Sequence, residues 1–307
     1  MSLMAKVRLP YYTPVLLLTG LLLVLSEALV PGFLEPVNLS RFLFSALPMI
    51  FLAAGQTLVI LGGGIDLSLG SLLTLTSVTM VVLFEKVDPV IATLGGVAAG
   101  AVGGAINGLS VAYLRLQPLV ATFATSFLFG GVSLWLLPQP RGTVPQEVRG
   151  LADPLWFPLI PLLLLFGGWV LLRHTPRITL LYAAGGQARS AYASGVQVTK
   201  VRFGSYVGAG LLAALGAFFL LLETGTGDPL VGQPMLLGSI TAVVLGGTRL
   251  SGGVGGIEGT IFGALLLVLF RNLVFFLGVP SDLQVLAEGI VVLLALAASG
   301  YALRREA

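Results

Sequence analysis

The chain turns on residues Gly55 to Val78, GQTLVILGGGIDLSLGSLLTLTSV. An apolar run, Leu58–Leu61, meets three consecutive glycines, Gly62, Gly63 and Gly64. A lone carboxylate, Asp66, follows, then Ser68 and Gly70, and the chain turns apolar again. In water three glycines end a helix, since each costs about 1 kcal/mol relative to alanine. In apolar surroundings the break also frees backbone groups, which must find partners inside protein or in a water-filled cavity. A broken apolar helix with a carboxylate beside the break is a transporter-like feature.

The rest of the chain supports that context. Of 307 residues, 56% are hydrophobic and 9% charged, with a mean hydropathy of +1.02. Soluble domains carry about 25% charged residues, so this is an integral membrane protein. Apolar and polar residues do not alternate, which excludes an outer-membrane barrel and leaves an all-α membrane bundle. There is no cysteine, which removes disulfides and thiolate metal sites. The net charge of +3 does not signal nucleic-acid binding here, because loop charges at membrane spans account for it. The only lysines are Lys6, Lys86 and Lys200, and no Gly-x-x-x-x-Gly-Lys-Ser/Thr occurs, so the chain has no P-loop of its own.

Ten apolar spans follow one another: 14–30, 41–61, 67–84, 90–114, 118–137, 154–172, 203–222, a short 234–245, 260–277 and 282–301. Most approach the ~20 residues needed to cross the hydrocarbon core; 234–245 is too short and reads as re-entrant. With ten crossings, Arg115, Arg173, Arg177, Arg189, Lys200, Arg202 and Arg249 share one side with Lys6, Arg8, Arg304 and Arg305. Only Arg41, Lys86, Arg141 and Arg149 fall on the other. The asymmetry places both termini in the cytoplasm. The whole chain, 1–307, reads as one polytopic domain with a cytoplasmic loop at about 173–202.

Within this frame the polar residues have competing readings. Asp66 is expected to cap the third span, accepting amide protons from the Leu67–Ser68–Leu69 turn, with Ser68 helping; the alternative is a gating or substrate-contacting acid. A stripe of small residues in the fourth span, Gly95, Gly96, Ala99, Gly100, Gly103 and Gly104, is expected to serve close helix packing. A second break, LGGTRLSGGVGGIEG at Leu245–Gly259, echoes the first: Leu-Gly-Gly, a charged residue, Leu-Ser, then glycine. Its glycines, Gly246 and Gly247 among them, read as tight turns, because no strand precedes them to make a dinucleotide site. Arg271 and Asn272 interrupt the ninth span and Glu288 the tenth; an Arg271–Glu288 pair is one expectation and a place in the translocation path the other. Gln187–Ser194 can form two helical turns closed by Gly195, and the length of that loop favours docking to a cytoplasmic partner.

Together these residues resemble the membrane permeases of bacterial ABC sugar importers, the branch that takes up ribose, arabinose, xylose, galactofuranose and the autoinducer-2 signal. The likeness rests on Ala53–Leu75, which follows a Gly-Gly-Ile-Asp-Leu-Ser-x-Gly signature, on Ala242–Leu267 with Asn272 and Leu277–Val279, and on Gly185–Gly195. The last resembles the family's coupling loop, with Gly186, Gln187, Ala188, Arg189, Ser190, Ala191, Tyr192, Ser194 and Gly195 in the coupling positions. Where that loop often carries an asparagine and two acids, this chain has Gln187, Ala188 and Arg189, and so less negative charge.

The resemblance implies a type II-like importer bundle. It implies two permease subunits, identical or paralogous, two cytoplasmic ATPase domains binding ATP and Mg, and a periplasmic sugar-binding protein on the loops at 31–40, 138–153 and 223–233. Gln56, Gly62, Gly63, Gly64, Asp66, Ser68, Gly246, Gly247, Arg271 and Asn272 are the expected hinge and translocation-path residues, and the cargo is a monosaccharide or small polyol. No metal site and no catalytic residue are expected in the chain itself: no nucleophile–base pair or paired carboxylates are visible, and the lone His174 sits between Arg173 and Arg177. A secondary transporter driven by an ion gradient is the alternative, for which Asp66, Glu258, Arg271 and Glu288 form a sparse relay.

Overall fold

A computed structural model describes residues 10–280 together with 283, 284, 286, 287, 289, 290 and 293. Helices begin where proline permits. The helices α1 (Thr13–Leu29), α2 (Pro36–Leu61), α4 (Pro89–Gly108), α5 (Pro118–Leu136) and α8 (Pro176–Gly186) all carry proline in their first turn. A missing N–H costs nothing there. Asp88 adds a side-chain cap to α4 through Val90 N, 2.8 Å away. Between them stand α3 (Leu69–Phe84), the short α6 (Gln146–Arg149) and α7 (Leu159–Leu172). The small α9 (Ala188–Ala193) follows, then α10 (Val198–Thr224), α11 (Met235–Leu245) and α12 (Ile257–Phe276).

Five of these are long and apolar enough to cross a membrane: α2, α4 with its π-helical extension to Tyr113, α5, α10 and α12. A sixth crossing is possible if α7 and α8 are one span bent by 80°. The helices α1, α3 and α11 are apolar but shorter. The expected tenth span lies largely outside the described residues, and the Arg271–Glu288 pairing lies outside them with Glu288. Three boundaries differ from expectation. The second span starts at Pro36, which removes half of the expected 31–40 loop. The polar stretch 173–202 contains all of α8 and the first turn of α10. The seventh span is a 27-residue helix, ended only by Gly225 in the left-handed region at φ 71°.

The bundle is inside-out by soluble standards. The buried axis is α2 crossed by α10, while α4, α5 and α7 show Leu94, Val102, Phe127, Trp135, Leu164 and Leu171 to the outside. An exposed apolar surface of that extent is what lipid covers. Close approach at the axis is bought with missing side chains. A methyl at Gly55 would lie 2.9 Å from the Ala209 carbonyl, one at Gly216 3.0 Å from that of Pro48, and one at Gly100 2.6 Å from that of Gly210. The glycine stripe of α4 therefore packs against α10 and α3, as its spacing suggests.

Two of the short helices begin at one contact. The chain after α10 folds back into the bundle until Gly232 touches Gly70, and Gly232 N donates to Thr74 Oγ1 at 3.0 Å. At that contact α3 has just begun, and α11 begins three residues after Gly232.

Candidate functional site: two glycine breaks and a buried carboxylate

The two breaks share one backbone solution. Gly63 N donates to Ile60 O at 2.9 Å and Gly64 N to Val59 O at 3.0 Å; Gly247 N donates to Val244 O at 2.9 Å and Thr248 N to Val243 O at 3.2 Å. Gly63 and Gly247 both stand at φ 83°. This is the Schellman ending of a helix, in which the residue after the cap must turn left-handed and glycine does so without a Cβ clash. The echo read in the sequence is thus a repeated helix stop.

The first stop and the loop that follows the second meet through α8. Leu61 O accepts from Gly253 N at 3.2 Å, and Gly185 lies so close to Leu61 O that no side chain fits there. Gly253 packs on Gly186, Gly252 on Gly63 and the Gly185 carbonyl, and Tyr182 Oη donates to Gly255 O at 2.5 Å. Arg202, from the first turns of α10, reaches across to give its Nε proton to Gly62 O at 3.1 Å. An orphan carbonyl at a helix end needs such a donor. Nothing in the sequence ties Arg202 to Gly62, and Arg202 is a site residue that spacing alone missed.

Asp66 lies immediately beyond the first break, fully buried. Its Oδ1 accepts from Ser68 N at 2.8 Å and Ser68 Oγ at 2.7 Å, and its Oδ2 accepts from Asn107 Nδ2 at 3.0 Å. Asn107, on α4, receives Thr125 Oγ1 of α5 on its own oxygen at 2.6 Å. The Gln56 amide pairs with both backbone groups of Asp66, donating to its O at 3.0 Å and accepting from its N at 3.2 Å. Thr122 on α5 accepts from Leu67 N at 2.9 Å. The capping expectation is corrected: α3 starts at Leu69 with Ser68 at its N-cap and no side-chain cap bond, and Asp66 accepts from Ser68 in the turn ahead of the helix and ties that turn to α4. Asn107 was not legible as its partner, nor Thr122 and Thr125 as supports of the turn and of Asn107, because each is an ordinary polar residue on an apolar helix. Tyr206 Oη, on α10, is buried without a hydrogen-bond partner and stands where a methyl on Gly64 would meet it at 2.6 Å.

At the second break Glu258 opens α12 and is buried against Trp169 Nε1 and Arg173 Nη1, the latter at 2.6 Å. An acid in the first turn suits the helix dipole, and the arginine balances it. Glu258 therefore joins the end of α7 to the start of α12. Arg271 and Asn272 stand elsewhere, half-buried in the last two turns of α12, and the partners of Asp66 are Ser68 of its own turn, Gln56 of α2 and Asn107 of α4.

Beside the second break, α9 rests on buried Ala191 and turns Arg189, Ser190 and Tyr192 outward, Tyr192 being 76% exposed. Ser194 closes it and Gly195, at φ 85°, reverses the chain, so the two-turn helix read between Gln187 and Ser194 is present. A groove of about 580 Å³ separates α9 from the loop of the second break, with Tyr182, Gln187, Ser190, Arg249 and Ser251 on its walls.

Residues 38–296 match the family described as branched-chain amino acid transport system / permease component. The chain belongs to this family, and is a multi-pass membrane permease. Among its relatives is the ribose import permease protein of Bacillus subtilis (strain 168), 38% identical over 90% of this chain and 88% of its own length. The ribose import permease protein of Escherichia coli (strain K12) is 35% identical over 89% of each chain. The autoinducer 2 import system permease protein of Salmonella typhi is 30% identical over 92% of this chain and 91% of its own. No solved structure matches the chain.

Proposed function

We propose that this permease is the membrane subunit of an ATP-driven importer that moves a monosaccharide or related small polyol into the cytoplasm by alternating access. The relatives named for ribose and autoinducer 2 support the cargo class. One observation carries the mechanism: the exposed helix α9 follows directly on Gly185–Gly186, which is wedged between the first helix stop at Leu61–Gly64 and Gly252–Gly253 in the loop that follows the second. A partner ATPase that binds ATP and Mg, docked on Arg189, Ser190 and Tyr192, can move both stops at once by shifting α9. No side chains lie between Gly185 and its neighbours to absorb the displacement. Gly62–Gly64, Gly246 and Gly247 are then the hinges. Asp66, Ser68 and Gln56 hold the turn after the first stop rigid, so that α3 follows the movement. The bacterial inner membrane, with the α9 face cytoplasmic, fits the cluster of Arg173, Arg177, Arg189, Lys200, Arg202 and Arg249 at that end. A periplasmic binding protein meets the opposite end, where Arg141 and Gly227 exchange backbone hydrogen bonds of 3.1 and 3.2 Å.

The test is reconstitution of the permease with its cognate ATPase and binding protein, measuring ATP hydrolysis and uptake across pentoses, hexoses and polyols. Stimulation by one loaded binding protein names the cargo. Uptake that survives ATP depletion and collapses with an ionophore overturns the reading in favour of an ion-gradient transporter.

A further inference from the structure

On the face that carries α9, the turn between α4 and α5 and the first turn of α10 enclose two adjoining hollows of about 400 Å³ each. They share Ala112, Arg115, Val198 and Thr199; Lys200 completes the first and Arg202 the second. No acidic residue lines either hollow. Among the described residues the ion pair within 4.0 Å is Arg173–Glu258, so Arg115 and Lys200 bring uncompensated positive charge. The backbone favours this display. Arg115 is the non-glycine residue at positive φ, 58°, among the described residues, held there by Leu114 N on Leu109 O and Leu116 N on Ser110 O. The first turn of α10 adds the positive end of a 27-residue helix.

The flank of these hollows is apolar and exposed. Tyr113, Leu114 and Leu116 lie beside them, and Val120, Phe123 and Phe127 continue outward along one face of α5. A basic hollow at the head of an exposed apolar helix face has the chemistry of a phospholipid with an anionic headgroup, charge at one end and chains at the other. We propose that Arg115, Lys200 and Arg202 form a binding site for an anionic phospholipid, its phosphate in the twin hollow and its chains along α5. The proposal needs only a bilayer around the bundle, not the sugar reading. It also places a lipid beside a hinge, because Arg202 holds Gly62 O with its Nε. A phosphate on the same guanidinium would stiffen that hold.

The measurement is thermal unfolding of the full-length permease in detergent, with added phosphatidylglycerol, phosphatidylcholine or inorganic phosphate. Phosphatidylglycerol is expected to raise Tm by several degrees more than phosphatidylcholine, and inorganic phosphate to leave it unchanged. The double variant Arg115→Gln/Lys200→Gln should lose most of that increment, while Arg177→Gln, a charge removed from the same face, should keep it. Equal shifts from the two lipids, an increment that survives in the double variant, or an equal loss in Arg177→Gln each overturn the site. The same shift from inorganic phosphate makes it a free-anion site and overturns the lipid. Should the double variant not fold, Lys200→Gln alone decides, because its side chain is exposed: an unchanged increment overturns the site.

Discussion

At Gly63, Gly185 and Gly195 the same substitution meets three different surroundings. Gly195 stands at φ 85° in open space, so Gly195→Ala pays only the left-handed backbone cost of about 1–2 kcal/mol. Gly63, at φ 83°, adds Gly185 Cα 3.3 Å from the new methyl, so Gly63→Ala costs somewhat more. Gly185 has no positive φ, but its methyl would enter the Leu61 carbonyl, which is backbone and cannot swing away. Gly185→Ala is therefore expected to be the most destabilising of the three, and thermal unfolding in detergent ranks them. Asp66 gives a second prediction. In Asp66→Asn an NH₂ group faces either Ser68 or Asn107, both donors to the present carboxylate. A loss of about 1–3 kcal/mol follows from the unmet donor. The loss in Asn107→Ala should overlap with it, so the double variant falls short of the sum, as measured by a double-mutant cycle.

Among the elements, α9 is nearly detached from stability. Its exposed residues touch little, so Tyr192→Ala is expected to leave the unfolding free energy within about half a kcal/mol of the parent. The same variant should weaken co-purification with the partner ATPase; unaltered association would remove α9 from the docking surface. Arg202 behaves differently, because it bridges α10 to the end of α2. Arg202→Gln should retain ATPase association while lowering uptake per ATP hydrolysed, which a coupled uptake and hydrolysis assay reads directly. A tandem fall in association and uptake would assign Arg202 to docking instead.

For the molecule as a whole the testable quantity is sidedness. The chain lacks cysteine, so single cysteines introduced at Lys86, Arg141, Arg189 and Arg249 report without background. Positions 189 and 249 are expected to react only from the cytoplasmic side, and positions 86 and 141 only from outside. The inside-out distribution of apolar residues, with α2 and α10 buried and α4 and α5 exposed, requires a bilayer around the bundle but does not fix its orientation. The labelling does.

The composition and the two glycine runs were enough to establish a helical membrane protein with two glycine breaks, because backbone freedom and hydrophobic run length are local properties. Resemblance in the motifs at Ala53–Leu75 and Ala242–Leu267 carried the family. Span ends were less legible: nothing local distinguishes Pro36 from Arg41 as the start of α2, and α10 absorbs polar residues before Phe203 because its first turns lean on α2. The site was legible only in its glycines and in Asp66. That Gly185 sits on Leu61, that Arg202 reaches Gly62, that Asn107 and Thr125 support the carboxylate, and that Glu258 pairs with Arg173 are contacts between distant segments. Those pairings depend on which helices cross, and crossing is set by packing in three dimensions rather than by any local run of residues.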